Sequence, residues 1–310
     1  MKNNDIIFPA PVKRGDVIAI CSPASPVDPA RVEGAKIELE KQGWKVKVMP
    51  HALGSYGNYA ASGENRLEDM KNALTDKDVR AVLCSRGGYG VVHIMEALDD
   101  LNLRQDPKWI IGFSDISALH ALAVKQGIAS IHASMAEHIM KGADDPDNAL
   151  LFKILRGERP VTFFPACPVY DRPGMAEGRI VGGNVAVLAD LIGTRFDVFK
   201  PGTILFLEDV GEPIYKIERI LYQLRIAGVL DKLAGLIVGQ FTRYNGDKSH
   251  ASMEDMISEM VSPYTYPVAF DVPIGHVDHN IPIIENAYVT LKVTPTDSDN
   301  SIIYWSDQQV

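Results

Sequence analysis

Ser114 stands between two patterns. The apolar run Trp109-Ile-Ile-Gly-Phe113 precedes it, and after it Ile116, Leu119 and Ala123 recur at helical spacing until Gly127. A serine at such a strand-to-helix elbow has its hydroxyl lifted out of the sheet, and the backbone N–H groups that follow can bind an anion. That is the geometry of a nucleophile. Ser and Asp also cap helices by accepting hydrogen bonds from free N–H groups, and this stretch alone favours capping for Ser114 or Asp115.

Other residues that can carry chemistry fall at the ends of apolar runs. Val79-Arg-Ala-Val-Leu-Cys84 leads into Ser85-Arg-Gly-Gly-Tyr-Gly90, where adjacent glycines either supply turn conformations or let backbone approach a ligand as an oxyanion donor. Ile204-Leu-Phe-Leu207 ends in Glu208 and Asp209, one of which can orient a histidine. His276 follows Gly275 beyond the strand Val268-Ala-Phe270. Asn184, after Gly182 and Gly183, reads first as a helix cap and second as a substrate contact. Cys84 lies inside its apolar strand and reads as core. His276 and His279 share a loop without an HExxH helix, and His132 and His138 add no matching pattern, so no metal site is expected.

These positions need elements to hold them. Val17–Ile20 reads as a strand, about Pro29–Gln42 as a helix ended by Gly43, Trp44–Met49 as the next strand, and Glu64–Leu74 and Val91–Leu98 as helices flanking the strand that ends at Cys84. Leu53–Gly63 reads as an exposed loop. A strand at Ala129–His132 and helical segments near Ser134–Met140 and Asp147–Leu155 extend the alternation, which implies a mostly parallel sheet with helices on both faces. Ligands in such sheets sit beyond the strand C-termini, where Gly88 and Ser114 both fall. The first strand is followed by Cys-Ser-Pro-Ala-Ser-Pro rather than a glycine-rich turn, and there is no Walker lysine; NAD and ATP readings lose their support, and no cofactor is expected.

The 310 residues, 46% hydrophobic, suffice for a sizeable core in two modest domains. A formal charge of −9 argues against a nucleic-acid partner. No run reaches the roughly 18 apolar residues of a membrane span, and the N-terminus lacks the core and cleavage site of a leader, so the expected location is cytoplasmic. Cys21, Cys84 and Cys167 have neither disulfide nor zinc spacing. Between Phe163 and Gly174 the chain turns Pro-rich, which suggests an N-terminal domain over 1–162, a linker over 163–174 and a C-terminal domain over 175–310. Gly178–Asn184 opens a helix through Leu188 and Leu191, the helix carrying Ile217, Ile220, Leu221 and Leu224 packs by one face, and Tyr288–Val293 and Ile302–Trp305 make the second domain the more β-rich.

Taken in order, Ser85-Arg-Gly-Gly-Tyr-Gly90, Gly112-Phe-Ser-Asp-Ile-Ser117, Gly182-Gly-Asn184, Leu207-Glu-Asp209 and Gly275-His276 resemble the LD-carboxypeptidase serine peptidases. The likeness covers nearly the whole chain. It implies a flavodoxin-like or class I amidotransferase-like parallel-sheet N-terminal domain with a smaller β-rich α/β C-terminal domain. It also implies a Ser-Glu-His triad drawn from both lobes: Ser114 as nucleophile, Glu208 as the residue that fixes the imidazole, and His276 as general base. Backbone N–H groups of Gly88 and Asp115 are then the candidate oxyanion donors, and Arg86, Tyr89 and Asn184 candidate substrate contacts.

Within the family the Arg-Gly-Gly-Tyr-Gly segment and the compact length look more like the peptidoglycan-recycling carboxypeptidases, whose substrate is a murein tetrapeptide that loses its terminal D-alanine, than like the microcin-immunity hydrolases of aminoacyl-nucleotide antibiotics. The resemblance further implies a homodimer. A non-catalytic binding module of the same fold is the reading from another class, and the presence of all three triad residue types weighs against it.

Overall fold

Val17-Ile-Ala-Ile-Cys21 forms strand β1, its last four residues fully buried, as suits a strand covered on both faces. Asp28 then accepts the Ala30 N–H at 2.9 Å, Pro29 fills the first helical position, and α1 (Pro29–Lys41) runs until Gly43, whose φ of +91° ends it. Strand β2 (Lys45–Val48) alternates Lys with half-buried Val, the pattern of a sheet edge. The alternation continues through α2 (Gly63–Thr75), β3 (Val79–Cys84), α3 (Met95–Asp99), β4 (Trp109–Gly112), α4 (Ser117–Lys125), β5 (Ser130–His132), α5 (Ala136–Ile139) and α6 (Pro146–Leu155). In a computed structural model, which describes residues 6–294 and 300–306, these strands pair in parallel in the order β2-β1-β3-β4-β5. That is the flavodoxin-like order, with its switch point between β1 and β3. The segment expected as one helix over Val91–Leu98 is instead a 3-10 turn, Val91–His93, followed by α3; the Val91 N–H at its start is taken by the Asp115 carboxylate.

The rest of the chain builds β6 (Thr162–Phe164), β7 (Gly174–Asn184), α7 (Val185–Ala189), β8 (Thr203–Val210), α8 (Ile214–Ile226), β9 (Gly235–Thr242), α9 (Met253–Val261), β10 (Val268–Ala269), β11 (Ile283–Glu285), β12 (Tyr288–Val293) and β13 (Ser301–Trp305). Seven of these strands form a mixed sheet, β10-β9-β8-β7-β12-β13-β6. Strands β10 to β7 are parallel, and β12, β13 and β6 are antiparallel additions. Helix α8 buries Ile214, Ile217, Ile220, Leu221 and Leu224 on one stripe. The glycine-rich segment before Asn184 is the end of an eleven-residue strand rather than the opening of a helix. At Gly182 the Phe206 carbonyl of β8 would lie only 2.0 Å from any Cβ, so the two backbones pack closer than a side chain allows.

Two compact units result, one running to Pro160 and taking in Ile281–Asn286, the other comprising Val161–Asn280 and the chain from Ala287. Two features differ from a linear division with a linker over 163–174. Thr162–Phe164 is a strand, paired with β13, so the second unit begins before the Pro-rich stretch. Strand β11 pairs antiparallel with β5 and closes the edge of the first sheet, which returns a piece of the C-terminal half to the first unit. The outermost residues, 1–5 and 307–310, lie outside the described residues. No helix among the described residues is long and apolar enough to cross a membrane.

Candidate active site

In the first unit the chain leaves β4 extended at Phe113 and turns sharply at Ser114, whose φ is +66°. A non-glycine residue there carries roughly 1–3 kcal/mol of strain and persists only where its surroundings over-determine it. The N-cap position of α4 is Ile116, which has no side-chain cap, and Ser114–Ile116 form a 3-10 turn of their own. The elbow reading therefore describes the local backbone. Gly87 lies against it. A Cβ there would sit 2.8 Å from Ser114 Cβ and 2.9 Å from its Oγ, so the glycine is what allows the loop after β3 to approach the serine.

That loop is held from several sides. Ser85 N–H donates to the Cys21 carbonyl at 2.7 Å, Ser25 N–H to the Gly87 carbonyl at 3.2 Å, and Tyr89 N–H to Ser25 Oγ at 3.3 Å. Gly88 has a φ of +111°, and a Cβ on it would overlap Ser25. The buried Asp115 carboxylate accepts the Val91 N–H at 2.9 Å, which ties the far end of the loop to the elbow. Burial pushes the Asp115 pKa up to about 6 against the opposing pull of that hydrogen bond and of Arg66.

Arg66 completes the clamp. Its guanidinium, buried to 2% exposure, donates to the carbonyls of Pro23 (2.6 Å), Gly90 (2.8 Å) and Ala61 (3.1 Å), meets His93 Nδ1 at 3.2 Å, and lies over the Tyr59 ring. Sequence reading missed it, although a signal existed: Arg66, Asp69, Met70 and Ala73 share the buried stripe of α2, two charged residues on an apolar face. Arg86 and Tyr89 sit on the same loop and are exposed. The Arg86 guanidinium donates to the Pro26 carbonyl at 2.8 Å, and the Tyr89 ring packs edge-on to His93 at 5.2 Å. Cys84 is fully buried, and burial raises its thiol pKa, which keeps it protonated and inert.

In the second unit Glu208 ends the apolar part of β8 with no exposure, and its Oε2 lies 2.8 Å from Nδ1 of His276. A carboxylate there fixes the neutral imidazole as the tautomer protonated at Nδ1, which leaves Nε2 as the basic nitrogen. Gly275 makes room for the pair: its φ is +119°, and a Cβ would stand 2.6 Å from Glu208 Oε2. The loop is pinned by Asn280 Oδ1, which accepts the Gly275 N–H at 2.9 Å, and by the Gln240 N–H, which donates to the Ile274 carbonyl at 2.9 Å.

Asp209 does different work. It accepts from Asn184 Nδ2 (3.1 Å), Ala186 N–H (2.9 Å) and Val210 N–H (2.7 Å), and burial, reinforced by the charge of Glu208, raises its pKa to about 6. Asn184 Oδ1 accepts the Val187 N–H at 3.1 Å and caps α7. The choice between Glu208 and Asp209 thus resolves by strand alternation: neighbours on β8 point to opposite faces, and only one meets the histidine. Within their own units, the structure gathers Ser114, Asp115, Gly88, Arg86 and Tyr89 beyond the C-termini of β3 and β4, and places Asn184 and Glu208 in the C-terminal parts of β7 and β8, with His276 on the loop after β10.

Comparison with known proteins adds a second line of observation. Residues 18–133 match the model of the LD-carboxypeptidase N-terminal domain, and residues 177–291 that of the LD-carboxypeptidase C-terminal domain. A Bacillus subtilis protein named "Probable murein peptide carboxypeptidase" is 33% identical over 89% of this chain and 88% of its own. The "Murein tetrapeptide carboxypeptidase" of Pseudomonas aeruginosa is 32% identical over 85% and 89%. Among solved structures, a muramoyltetrapeptide carboxypeptidase from Oxalobacter formigenes superposes with a TM-score of 0.83 at 24% identity, covering 94% of this chain and all of that one, and so shares the fold.

Proposed function

The chain belongs to the LD-carboxypeptidase family, and from that premise we propose that it is a serine-type carboxypeptidase that removes the terminal D-alanine from murein tetrapeptides during peptidoglycan recycling. The observation that carries the reading is the 2.8 Å contact between the buried Glu208 carboxylate and His276 Nδ1. A buried carboxylate holding one imidazole nitrogen is the arrangement that turns a histidine into an oriented general base.

In this reading His276 Nε2 takes the proton of the Ser114 hydroxyl as Oγ attacks the carbonyl at the L-centre of the diamino acid. Glu208 stabilises the imidazolium that forms. The N–H groups of Gly88 and Asp115 receive the oxyanion, each such donor lowering the barrier by about 2.7–4 kcal/mol. His276 then returns the proton to the departing D-alanine amine, and the C–N bond breaks to leave an acyl-serine. Water, deprotonated by the same histidine, hydrolyses the ester and restores the enzyme. Arg86, Tyr89 and Asn184 are assigned to substrate contact; the Asn184 amide already serves the α7 cap and Asp209, which makes it the least available of the three. The working form is assigned as a cytoplasmic homodimer that needs no cofactor, metal, nucleic acid or membrane.

The test is incubation of the purified chain and of its Ser114→Ala variant with a murein tetrapeptide and, separately, with an aminoacyl-nucleotide, products being read by mass spectrometry. Wild type is expected to release D-alanine and to leave the nucleotide conjugate intact, and the variant to release nothing. Cleavage of the nucleotide conjugate alone would move the chain to the microcin-immunity type of activity. Full D-alanine release by Ser114→Ala would remove the serine from the mechanism.

A further inference from the structure

His120 has no exposed surface, yet it is a polar ring in a helix buried on nearly every side, Ser117-Ala-Leu-His-Ala-Leu-Ala123. Packing alone does not ask for an imidazole there. An apolar side chain of similar size would fill the same volume without the cost of desolvating two nitrogens.

What the ring does is visible in its partners. Nε2 lies 2.8 Å from the Gly112 carbonyl, and since a carbonyl only accepts, Nε2 carries the proton. Nδ1 lies 2.8 Å from Ser130 Oγ, so in the neutral ring the hydroxyl donates to it. Ser130 is on β5, and its register partner on β11 is Glu285, itself buried and with Oε1 3.8 Å from Nδ1. The Gly112 carbonyl also accepts the Ala133 N–H at 3.1 Å. One side chain thus joins the end of β4, helix α4 and strand β5, and it does so at the last residue of β4, two residues before Ser114.

We propose that His120 is a positioning residue: its Nε2–H, with the Ala133 N–H, fixes the carbonyl of Gly112 and so holds Ser114 in its left-handed elbow. The strained φ of +66° at Ser114 needs surroundings that over-determine it. A carbonyl gripped by two donors immediately upstream supplies one such constraint, and the hydroxyl of Ser130 fixes the tautomer that makes the grip. The inference rests on Ser114 being the nucleophile.

The experiment compares His120→Leu, which removes the donor, with His120→Gln, whose Nε2 is the same number of bonds from Cβ. For each full-length variant, kcat and KM for D-alanine release are measured together with the rate at which a fluorophosphonate probe labels Ser114, and thermal unfolding confirms the fold. His120→Leu is expected to lower kcat and the labelling rate together by about 30-fold, with KM and His120→Gln activity both within about threefold of wild type. Should His120→Leu fail to fold, Ser130→Ala is read instead, with an expected fall of about fivefold in kcat at constant KM. Wild-type rates in folded His120→Leu, equal impairment of the Leu and Gln variants, or an unchanged kcat in the substituting Ser130→Ala would each overturn the proposal. If wild type is neither labelled nor active, the nucleophile assignment itself falls; if wild type is labelled and His120→Leu is labelled equally fast, only the positioning role falls.

Discussion

Gly87→Ala tests the site at the point where the backbone leaves least room. The φ of Gly87 is not in the left-handed region, so alanine meets no conformational obstacle there, and the effect is one of contact alone. The added Cβ would stand 2.8 Å from Ser114 Cβ, 2.9 Å from Ser114 Oγ and 3.3 Å from the Phe113 carbonyl. Carbon atoms in favourable contact are about 3.5–4.0 Å apart, so the serine or the loop has to give by roughly 1 Å. A misplacement of that size at a reacting group costs on the order of 100-fold in rate, and overpacking of the core costs about 1–3 kcal/mol of stability. The expected outcome is a fall of about 100-fold in kcat for D-alanine release, with the variant folded and its melting temperature lowered by a few degrees. Gly63→Ala is the control, because its Cβ would find only Arg66 Nη2 at 3.9 Å at the first position of α2. Wild-type kcat in folded Gly87→Ala would refute the claim that this glycine sets the loop against a catalytic serine.

Two other outcomes follow from the same geometry. Glu208→Gln keeps the shape of the side chain but removes the charge facing His276 Nδ1, and kcat is expected to fall by about 10³- to 10⁴-fold at constant fold, read by steady-state kinetics; a loss below about tenfold would remove Glu208 from its role. Burial of His120 lowers its pKa to about 4, whereas the unfolded chain has it near 6.5. The unfolded state therefore binds the extra proton between these values, and the contribution of His120 to stability is complete above about pH 6.5 and declines as the pH falls toward 4. At pH 5 the loss from this one group is about 2 kcal/mol, so His120→Gln is expected to lose about that much less than wild type between pH 7 and pH 5 in urea unfolding. Asp115 and Asp209, raised to about 6, have the opposite sign, favouring the folded state more as the pH falls from 6 toward 4, but they are common to both proteins and cancel in the comparison. Equal losses would mean that His120 is not held neutral.

Much of the site was readable because its signals are local. An apolar run broken by Phe-Ser-Asp and resumed at helical spacing can only be a strand, a turn and a helix, and Ser114 sits at that turn in the structure. The paired glycines after β3 read either as turn residues or as a backbone approach to a ligand; Gly88 has the left-handed φ of the first reading, and Gly87 lies against Ser114, a contact neither reading specified. Glu208 and His276 were legible only through the family likeness, since a strand ending in two carboxylates and a histidine after a glycine are each common. The residues that hold the site were missed for a related reason. Arg66 shares its helix stripe with Met70 and Ala73, a faint signal, and His120 looks like any histidine until their buried partners, Gly90 and Gly112, are in place.

Hydrophobic periodicity and turn chemistry act over a few residues, so the alternation of strands and helices, the parallel character of the first sheet and the place of the serine follow from local pattern. Tertiary structure alone decided that β11 closes the first sheet against β5, some 150 residues away, and that β6 pairs with β13. It decided too that Glu208 rather than Asp209 faces the histidine. Sheet pairing and the burial of a charged group depend on which backbone and which partner arrive from elsewhere in the chain, and no local pattern carries that information.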